Sequence, residues 1–467
     1  MKAKRLLVVI LSVFLLVPCA FAQRVGQDFN SLSRFQDALR QDGFDVTPGA
    51  VVDWNLAAEW CANTPGVDTA LYFNIEPYLQ VQVPASAREP DQLSAQFKLD
   101  PREAVVLMGL TPPPEKYFSF TPYLWSRVYP DGSRRDVMAT LGDSVNVATV
   151  KSVGPTPFNA PVALIFTPDQ TTESRVRAAL RRSGYPASII HTVVFPASML
   201  KLGHGETADL LTIAIRNAIW TDSTAGSDYV NNPPLKVFRV TPRTAADADS
   251  FPSPPLRIRG TGHTEMDLAN KLGELRQGII AANPGLQASD ITLIPMCYEG
   301  YDLIQRGLEL CGDSRDAFYL GAGIPEYDPI NQIRLADGEF LMVYGPNHVA
   351  TGKATYMNIN VYASETAKLT LGAINDQDFT DKGTAAPFLP AGDPDANLMY
   401  AYKISRDCGG EPNCLQLSPP PGCTRLTLDS STLLGVFTRM YLEPATKIGP
   451  AMPEILYDRV LKFSPQP

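Results

Sequence analysis

Short apolar runs bounded by turn residues recur through much of the chain, which is typical of β-strands. The block at residues 104–147 contains three such runs, with turn residues Pro130-Asp131-Gly132 between the last two, and predicts an antiparallel meander. The last third returns to strand-like runs, among them EFLMVYG, GKATYMNINVY and LLGVFTRMYL. The pattern therefore predicts a protein rich in antiparallel strands.

Helical periodicity is found between these runs. Residues 31–43, 171–182 and 266–282 carry apolar side chains at the spacing of one helix face. The last two segments are each flanked by strand-like runs, VALIFTP and SIIHTVVFP around one, PLRIRG and DITLIPM around the other. This alternation favours helices layered on a sheet, so the predicted fold class is α+β, with β-rich lobes and helices packed on mixed sheets.

Two parts of the pattern resemble each other and suggest an internal repeat. The run AVVLMGLTPPPEKYFSF, followed by DVMATLGDSVN, resembles EFLMVYGPNHVATGKATYMNI, followed by AKLTLGAIND. In both, an apolar strand reaches a glycine (Gly109, Gly345), a lysine follows (Lys116, Lys353), and a later strand ends in Leu-Gly. Two unrelated meanders would share some of these features, so the duplication is a hypothesis.

The first 22 residues predict a secretory signal peptide. Lys2, Lys4 and Arg5 precede a short apolar run, and the segment closes on Ala20-Phe21-Ala22, an A-x-A cleavage motif. We expect a secreted or periplasmic protein, with a β-rich lobe at residues 23–155, an α/β region at 156–335 and a second β-rich lobe at 336–467. No second apolar segment is long enough to cross a bilayer, so no membrane span is expected in the mature chain.

Charge and cysteines agree with export. Removal of the signal takes three of the 40 basic residues and none of the 49 acidic ones, so the net charge falls from −9 to −12. Such an acidic chain is a poor partner for nucleic acid. The six remaining cysteines predict three disulfides. Cys297–Cys311 is the expected local bridge, and two of Cys408, Cys414 and Cys423 are expected to pair.

The segment at residues 344–356 is the first candidate for chemistry, because it places four functional side chains in one loop between two strands. If His348 and Tyr356 converge, one could accept a proton while the other donates one, with Lys353 or Asn347 stabilising negative charge. That chemistry would suit a hydrolase or lyase. A plain hairpin loop with turn-forming Gly and Asn explains the same residues.

The second candidate is an anion site at residues 257–267. We expect a strand to end at two glycines just before a helix begins, so that Arg259, Gly262 and His263 could bind a phosphate or carboxylate. A capping box with Thr264 as N-cap accounts for part of the same pattern. His204 and His263 each have a glutamate two residues on, but the spacing places no third ligand, so neither a metal nor a cofactor is expected.

Two classes of function remain open. The first is an extracytoplasmic hydrolase or lyase that acts on an anionic or hydroxylated substrate through the loop at Asn347, His348, Lys353 and Tyr356. The second is a non-catalytic extracytoplasmic protein, either ligand-binding or structural. In both, the expected partner is a small-molecule or polymeric extracellular ligand.

Overall fold

The computed structural model describes residues 29–70, 78–297, 299–309, 312–325, 328, 330–380 and 383–466. The predicted signal peptide lies outside the described residues. The helices are α1 (Phe29–Gln41), α2 (Leu56–Cys61), α3 (Gln170–Arg182), α4 (Ser223–Asn231), α5 (Ala269–Ala281), α6 (Gly300–Arg306) and α7 (Asp376–Thr380). Single 3₁₀ turns are found at Ala187–Ile189, Met266–Leu268, Ala386–Phe388, Ala396–Leu398 and Met452–Glu454.

Strands make up most of the regular structure, which confirms the predicted α+β class. They are β1 (Phe44–Pro48), β2 (Ala50–Trp54), β3 (Tyr78–Pro84), β4 (Leu93–Ser94), β5 (Ala104–Leu110), β6 (Glu115–Val128), β7 (Arg134–Thr140), β8 (Val145–Asn146), β9 (Pro161–Thr167), β10 (Ile190–Val194), β11 (Leu210–Trp220), β12 (Leu235–Pro242), β13 (Leu286–Ile291), β14 (Ile294–Met296), β15 (Ala317–Ala322), β16 (Phe340–Pro346), β17 (Tyr356–Ala363), β18 (Leu369–Asn375), β19 (Met399–Ser405), β20 (Cys414–Gln416), β21 (Leu434–Tyr441) and β22 (Arg459–Pro465).

The chain divides into two compact units that are interleaved along the sequence. The first contains Met1–Trp54, Tyr78–Leu256 and Glu299–Gly312, and the second contains Asn55–Pro77, Arg257–Tyr298 and Asp313–Pro467. The predicted sequence limits at residues 155 and 335 stay a prediction.

Each unit is a sandwich of two sheets. In the first unit the sheets have the orders β1-β12-β5-β9-β10 and β2-β3-β11-β6-β7, with the short β4 and β8 on the side. The apolar core between them is formed by alternate residues of the strands, such as Leu107 of β5 and Ile213 of β11. Helices α1 and α3 cover the outer face of the first of these sheets through a second core that contains Phe35 and Val176.

The second unit repeats this topology strand for strand. Its sheets have the orders β13-β22-β16-β19-β20 and β14-β15-β21-β17-β18. If the short strands β4 and β8 are left out, the ten strands of the first unit correspond to β13–β22 in chain order, and both sheets then have the same strand order in the two units. All matched pairs are antiparallel except one in each unit, β9–β10 and β19–β20, which are parallel. The structure therefore shows the internal repeat that the sequence suggested.

The strand registers identify the matched residues. When the matched strands are aligned, Gly109 of β5 corresponds to Gly345 of β16. Their neighbours in the sheet, Val162 of β9 and Tyr400 of β19, correspond to each other as well. Both glycines permit close approach: a Cβ at Gly109 would lie 2.0 Å from the Pro234 carbonyl oxygen, and one at Gly345 would lie 2.3 Å from Oδ1 of Asp458. The expected match of Lys116 with Lys353 is wrong, because the register sets Lys116 against Thr355.

Further matched positions carry the same side chains. Arg216 of β11 lies over the rings of Tyr78 and Tyr123 at 5.3 and 5.5 Å, and Arg439 of β21 lies over those of Tyr319 and Tyr362 at 6.0 and 5.6 Å. The strand register, rather than a resemblance between short sequence segments, is what identifies this shared arginine and these tyrosines.

One predicted strand is absent. Residues 255–260 (PLRIRG) have no strand partner, and Ile258 is 86% exposed. Pro255 at the start of this segment has no N–H to donate to a ladder, and the alternation of Leu256 and Ile258 with arginines does not by itself produce a strand.

Candidate functional site

The loop after β16 begins with a turn that Asn347 forms by itself. Its Oδ1 accepts hydrogen bonds from the N–H groups of Val349 and Ala350, each at 3.2 Å, and its carbonyl accepts from Thr351 N–H at 3.0 Å. This is the usual behaviour of an asparagine at the start of a turn. Asn347 therefore shapes the loop and presents no free amide oxygen.

His348 lies in the interior of the second unit, between two carboxylates. Its Nδ1 is 2.8 Å from Oε1 and 3.0 Å from Oε2 of Glu265, and its Nε2 is 3.4 Å from Oδ1 of Asp458. The same Oδ1 accepts a hydrogen bond from Tyr400 Oη at 2.8 Å. The side chains of His348, Glu265 and Asp458 are all 0% exposed.

These contacts decide the protonation state of His348. Burial by itself lowers the pKa of the imidazole, but the charges of Glu265 and Asp458 outweigh burial and raise that pKa to about 10. For Glu265, burial raises the pKa, and the charge and hydrogen bonds of His348 overcome this effect and lower it. His348 is thus an imidazolium at neutral pH, with no lone pair to accept a proton.

Lys353 is the centre of a neighbouring ionic group. Its Nζ is 2.6 Å from Oε1 of Glu443 and 2.5 Å from Oε2 of Glu454, and the lysine side chain is 0% exposed. Burial by itself lowers the pKa of Lys353, but the hydrogen bonds to the two glutamates raise that pKa by more, so the net shift is upward. A lysine held in this way is neither a base nor a nucleophile.

The glycine loop at residues 260–262 binds an anion, but the anion belongs to the protein. The backbone N–H of Thr261 lies 3.0 Å from Oε1 of Glu454, and that of Gly262 lies 2.7 Å from the same atom. Gly260, at φ +93°, fits only because it lacks a Cβ, which would lie 2.8 Å from Oε1 of Glu454. The predicted amide donors are therefore occupied by a side chain of the same unit.

The remaining predicted residues do not complete a reactive site. Arg259 donates from Nη1 to the Ala317 carbonyl at 3.1 Å, and the exposed His263 has its Nε2 3.4 Å from the Thr351 carbonyl oxygen. Tyr356 lies on β17, where its hydroxyl accepts a hydrogen bond from Asn358 at 2.6 Å. It is not among the partners of His348 in the part of the chain that is described.

The structure thus brings together the two predicted segments, 257–267 and 344–356, but as one buried network. Thr351 Oγ1 donates to Glu265 at 2.5 Å, and Thr261 Oγ1 lies 3.4 Å from Lys353 Nζ. The acidic partners Asp458, Glu443 and Glu454 were not identified from the sequence, since their spacing from His348 and Lys353 carries no local signal.

The internal repeat shows that this network is an addition to the fold. The first unit has Val162 at the position of Tyr400, and Leu235 at the position of Asp458. Both replacements are buried and apolar. A sandwich of this topology therefore forms without the Tyr400 and Asp458 side chains of the His348 network, which the second unit has at these positions.

An open cavity of about 660 Å³ lies elsewhere in the second unit, where β16 begins and β19 ends. Charged side chains and a few apolar ones line it: Asp337, Glu339, Phe340, Lys403, Arg406, Asp407, Leu417 and Leu428, together with Ser405 and Ser418. In the described part of the chain, no three His, Cys, Asp or Glu side chains converge in a way that would hold a metal ion.

Disulfides agree in part with the sequence. Cys408 pairs with Cys414, which confirms that two of the last three cysteines bond to each other, and Cys61 pairs with Cys423. Cys297 is also disulfide-bonded, and its expected partner, Cys311, lies outside the described residues. No helix among the described residues combines the length and apolar character needed to cross a membrane.

Comparison with known proteins gives structural neighbours only. No protein-family model and no curated protein matches the sequence. The chain is similar to an uncharacterised protein from Burkholderia cenocepacia (13% identity, 95% of this chain and 94% of the other, TM-score 0.38). It is also similar to the VPA0106 protein from Vibrio parahaemolyticus (11% identity, 92% and 99%, TM-score 0.40). These scores support no argument about function.

Proposed function

We propose that this protein is a non-catalytic extracytoplasmic protein that binds a small ligand. One observation carries the proposal: the residues best suited to catalysis are sealed inside the second unit and already paired. His348 and Lys353 have no exposed side-chain surface, and each cation lies between two carboxylates.

Chemistry requires contact between a reacting atom and a catalytic group. A general base at position 348 would need a free lone pair, which the imidazolium lacks. An electrophilic role for Lys353 would need its ammonium group to reach a substrate, but its Nζ contacts Glu443, Glu454 and Thr261. The network instead ties the loops at residues 261–265, 347–353 and 443–458 to one another.

The extracytoplasmic location is supported by the cysteines. Five of the six cysteines expected in the mature chain are disulfide-bonded in the described structure. Disulfides of this kind persist in oxidising compartments and are rare in the cytosol. Together with the A-x-A motif at residues 20–22, they favour export by a cleaved signal peptide.

The test is a parallel assay of binding and turnover with the purified, oxidised protein. Extracellular small molecules would be screened for those that raise the melting temperature, and each one found would then be incubated with the protein and recovered. The proposal predicts that the ligand is recovered unchanged. Turnover of any such compound by the wild type would instead support a hydrolase or lyase.

A further inference from the structure

The cavity of the second unit occupies a place that a helix fills in the first. Helix α3 connects β9 to β10 and packs Val176, Ala179 and Leu180 on the outer face of its sheet. The matched connection, between β19 and β20, is the eight-residue segment 406–413, which contains no helix and is closed by the Cys408–Cys414 disulfide. The second unit therefore lacks the cover that the first unit has at this point.

The residues beneath the missing helix have changed in character. In the first unit, Ala104 and Ile165 belong to the core beneath α1 and α3, and both are fully buried. Their matched residues in the second unit are Phe340 and Lys403, which line the cavity. Lys403 Nζ lies 4.5 Å from the centre of the Phe340 ring, so an aromatic surface and a cation stand side by side.

Arg406 and Lys403 have hydrogen-bond donors that a ligand in this cavity could bind. Nε of Arg406 is buried and has no hydrogen-bond partner among the described residues, while Nη2 pairs with Asp337, a side chain that is 99% exposed. Lys403 pairs with Glu411, which is 58% exposed. Ion pairs to such exposed acids contribute only about 0–1 kcal/mol, so a ligand can compete with them.

The acids of the lining have hydrogen-bond partners of their own. Glu339 accepts hydrogen bonds from Lys462, Ser464 and the backbone of Ala336. Asp407 accepts from the Gly409 N–H at 2.9 Å. The buried Nε of Arg406 is therefore the donor for which a ligand would supply the acceptor, with Lys403 beside it in the same lining.

We infer that this cavity is a binding site for a small organic carboxylate, whose anionic group contacts Arg406 and Lys403 and whose apolar body lies against Phe340 and Leu417. The inference rests on the proposed binding function and gives it a site and a ligand class. It depends on the charged lining of this cavity, which lies where α3 covers the matched face of the first unit.

The experiment titrates the full-length oxidised protein with benzoate and with benzamide, its neutral analogue, by calorimetry. Benzylamine provides the same ring with a positive charge. A charge-assisted hydrogen bond contributes about 1.5–3 kcal/mol, so benzoate should bind at least tenfold more tightly than benzamide. Tighter binding of benzylamine or benzamide than of benzoate would overturn the carboxylate assignment.

Variants locate the site. Arg406→Gln and Lys403→Met should each weaken benzoate binding at least fivefold and leave benzamide binding unchanged. Arg276→Gln is the matched control, because Arg276 also forms a surface ion pair, with Asp290, but does not line the cavity. Benzoate binding that survives both cavity substitutions would overturn the site while leaving the binding function intact. Catalytic turnover of extracellular compounds would refute the binding function itself.

Discussion

His348 shows how much the surroundings of one side chain decide its role. As a loop histidine between two strands it resembles a catalytic base, yet the charges of two buried carboxylates outweigh its own burial and keep it an imidazolium at neutral pH. A buried charge that loses its partner is strongly unfavourable, typically by about 3–5 kcal/mol, because the remaining ion is neither solvated nor paired.

Replacement of His348 by Gln should therefore destabilise the protein by about 3–5 kcal/mol, since Glu265 and Asp458 would face each other without a cation between them. Urea unfolding followed by circular dichroism measures this change. His263→Gln is the control, because His263 is exposed, and it should stay within about 0.5 kcal/mol of the wild type. A loss of less than 1 kcal/mol in His348→Gln would show that the imidazolium does not hold the network together.

The raised pKa of His348 also predicts a pH dependence of stability. The folded protein keeps this proton up to about pH 10, whereas the unfolded chain releases it near 6.5. The native state therefore binds more protons between these values, and the free energy of unfolding should fall as pH rises from 7 towards 10, by up to about 1.4 kcal/mol per pH unit.

His191 provides an internal contrast for that measurement. Burial and the charge of Lys151 lower its pKa to about 4, so its contribution rises with pH and is complete near pH 6.5. Urea unfolding at pH 7 and 8 thus isolates His348, because the buried tyrosines, whose pKa burial raises, contribute only near pH 9 and above. The slope should be present in the wild type and absent in His348→Gln, and equal slopes in the two proteins would contradict the assignment.

Among the elements, strands β5, β6 and β7 and their matches β16, β17 and β18 were predictable as a repeat. The glycines at 109 and 345 are required by close backbone or carboxylate approach, and Leu-Gly recurs at 141–142 and 371–372 in the same register. Such steric requirements can be recognised in the sequence, because the same residue type recurs at the matched positions. The pairing of His348 with Glu265 and Asp458 cannot be recognised in this way, because residues 83 and 110 positions away meet only when the sandwich has formed.

Two disulfides of the described residues should differ in what they contribute to stability. Cys61–Cys423 spans 362 residues and attaches α2 to the rest of the second unit, while Cys408–Cys414 spans six. A cross-link restricts the unfolded chain more when its loop is longer, which gives about 2 kcal/mol for the short loop and at least twice that for the long one. Urea unfolding of the double variants Cys61→Ala/Cys423→Ala and Cys408→Ala/Cys414→Ala should show the larger loss in the first. The reverse order would show that native-state effects outweigh loop closure.

At the scale of the whole molecule, the repeat places an ion pair at the same position in both units, with arginine as the cation in the first and lysine in the second. Glu103 and Arg239 of the first unit match Glu339 and Lys462 of the second, and both pairs connect the start of one strand to its neighbour. The first pair is 0% and 1% exposed, with Nη2 of Arg239 2.5 Å from Oε2 of Glu103. The second is 14% and 24% exposed, at 2.8 Å. Topology is the same in both places, whereas burial and the identity of the cation differ.

Arg239→Met and Lys462→Met remove the cation from each pair and keep an apolar stem. The first should cost about 3–5 kcal/mol, because Glu103 would remain buried without its cation and the carbonyls of Pro84 and Lys98 would lose the donors they receive from Arg239. The second should cost about 1 kcal/mol or less, since water can reach Glu339. Urea unfolding of both variants at pH 7 gives the comparison, with the exposed Lys236→Met as a control for loss of a strand lysine. Equal losses at the two positions would mean that the shared topology, rather than burial, determines the contribution of this ion pair.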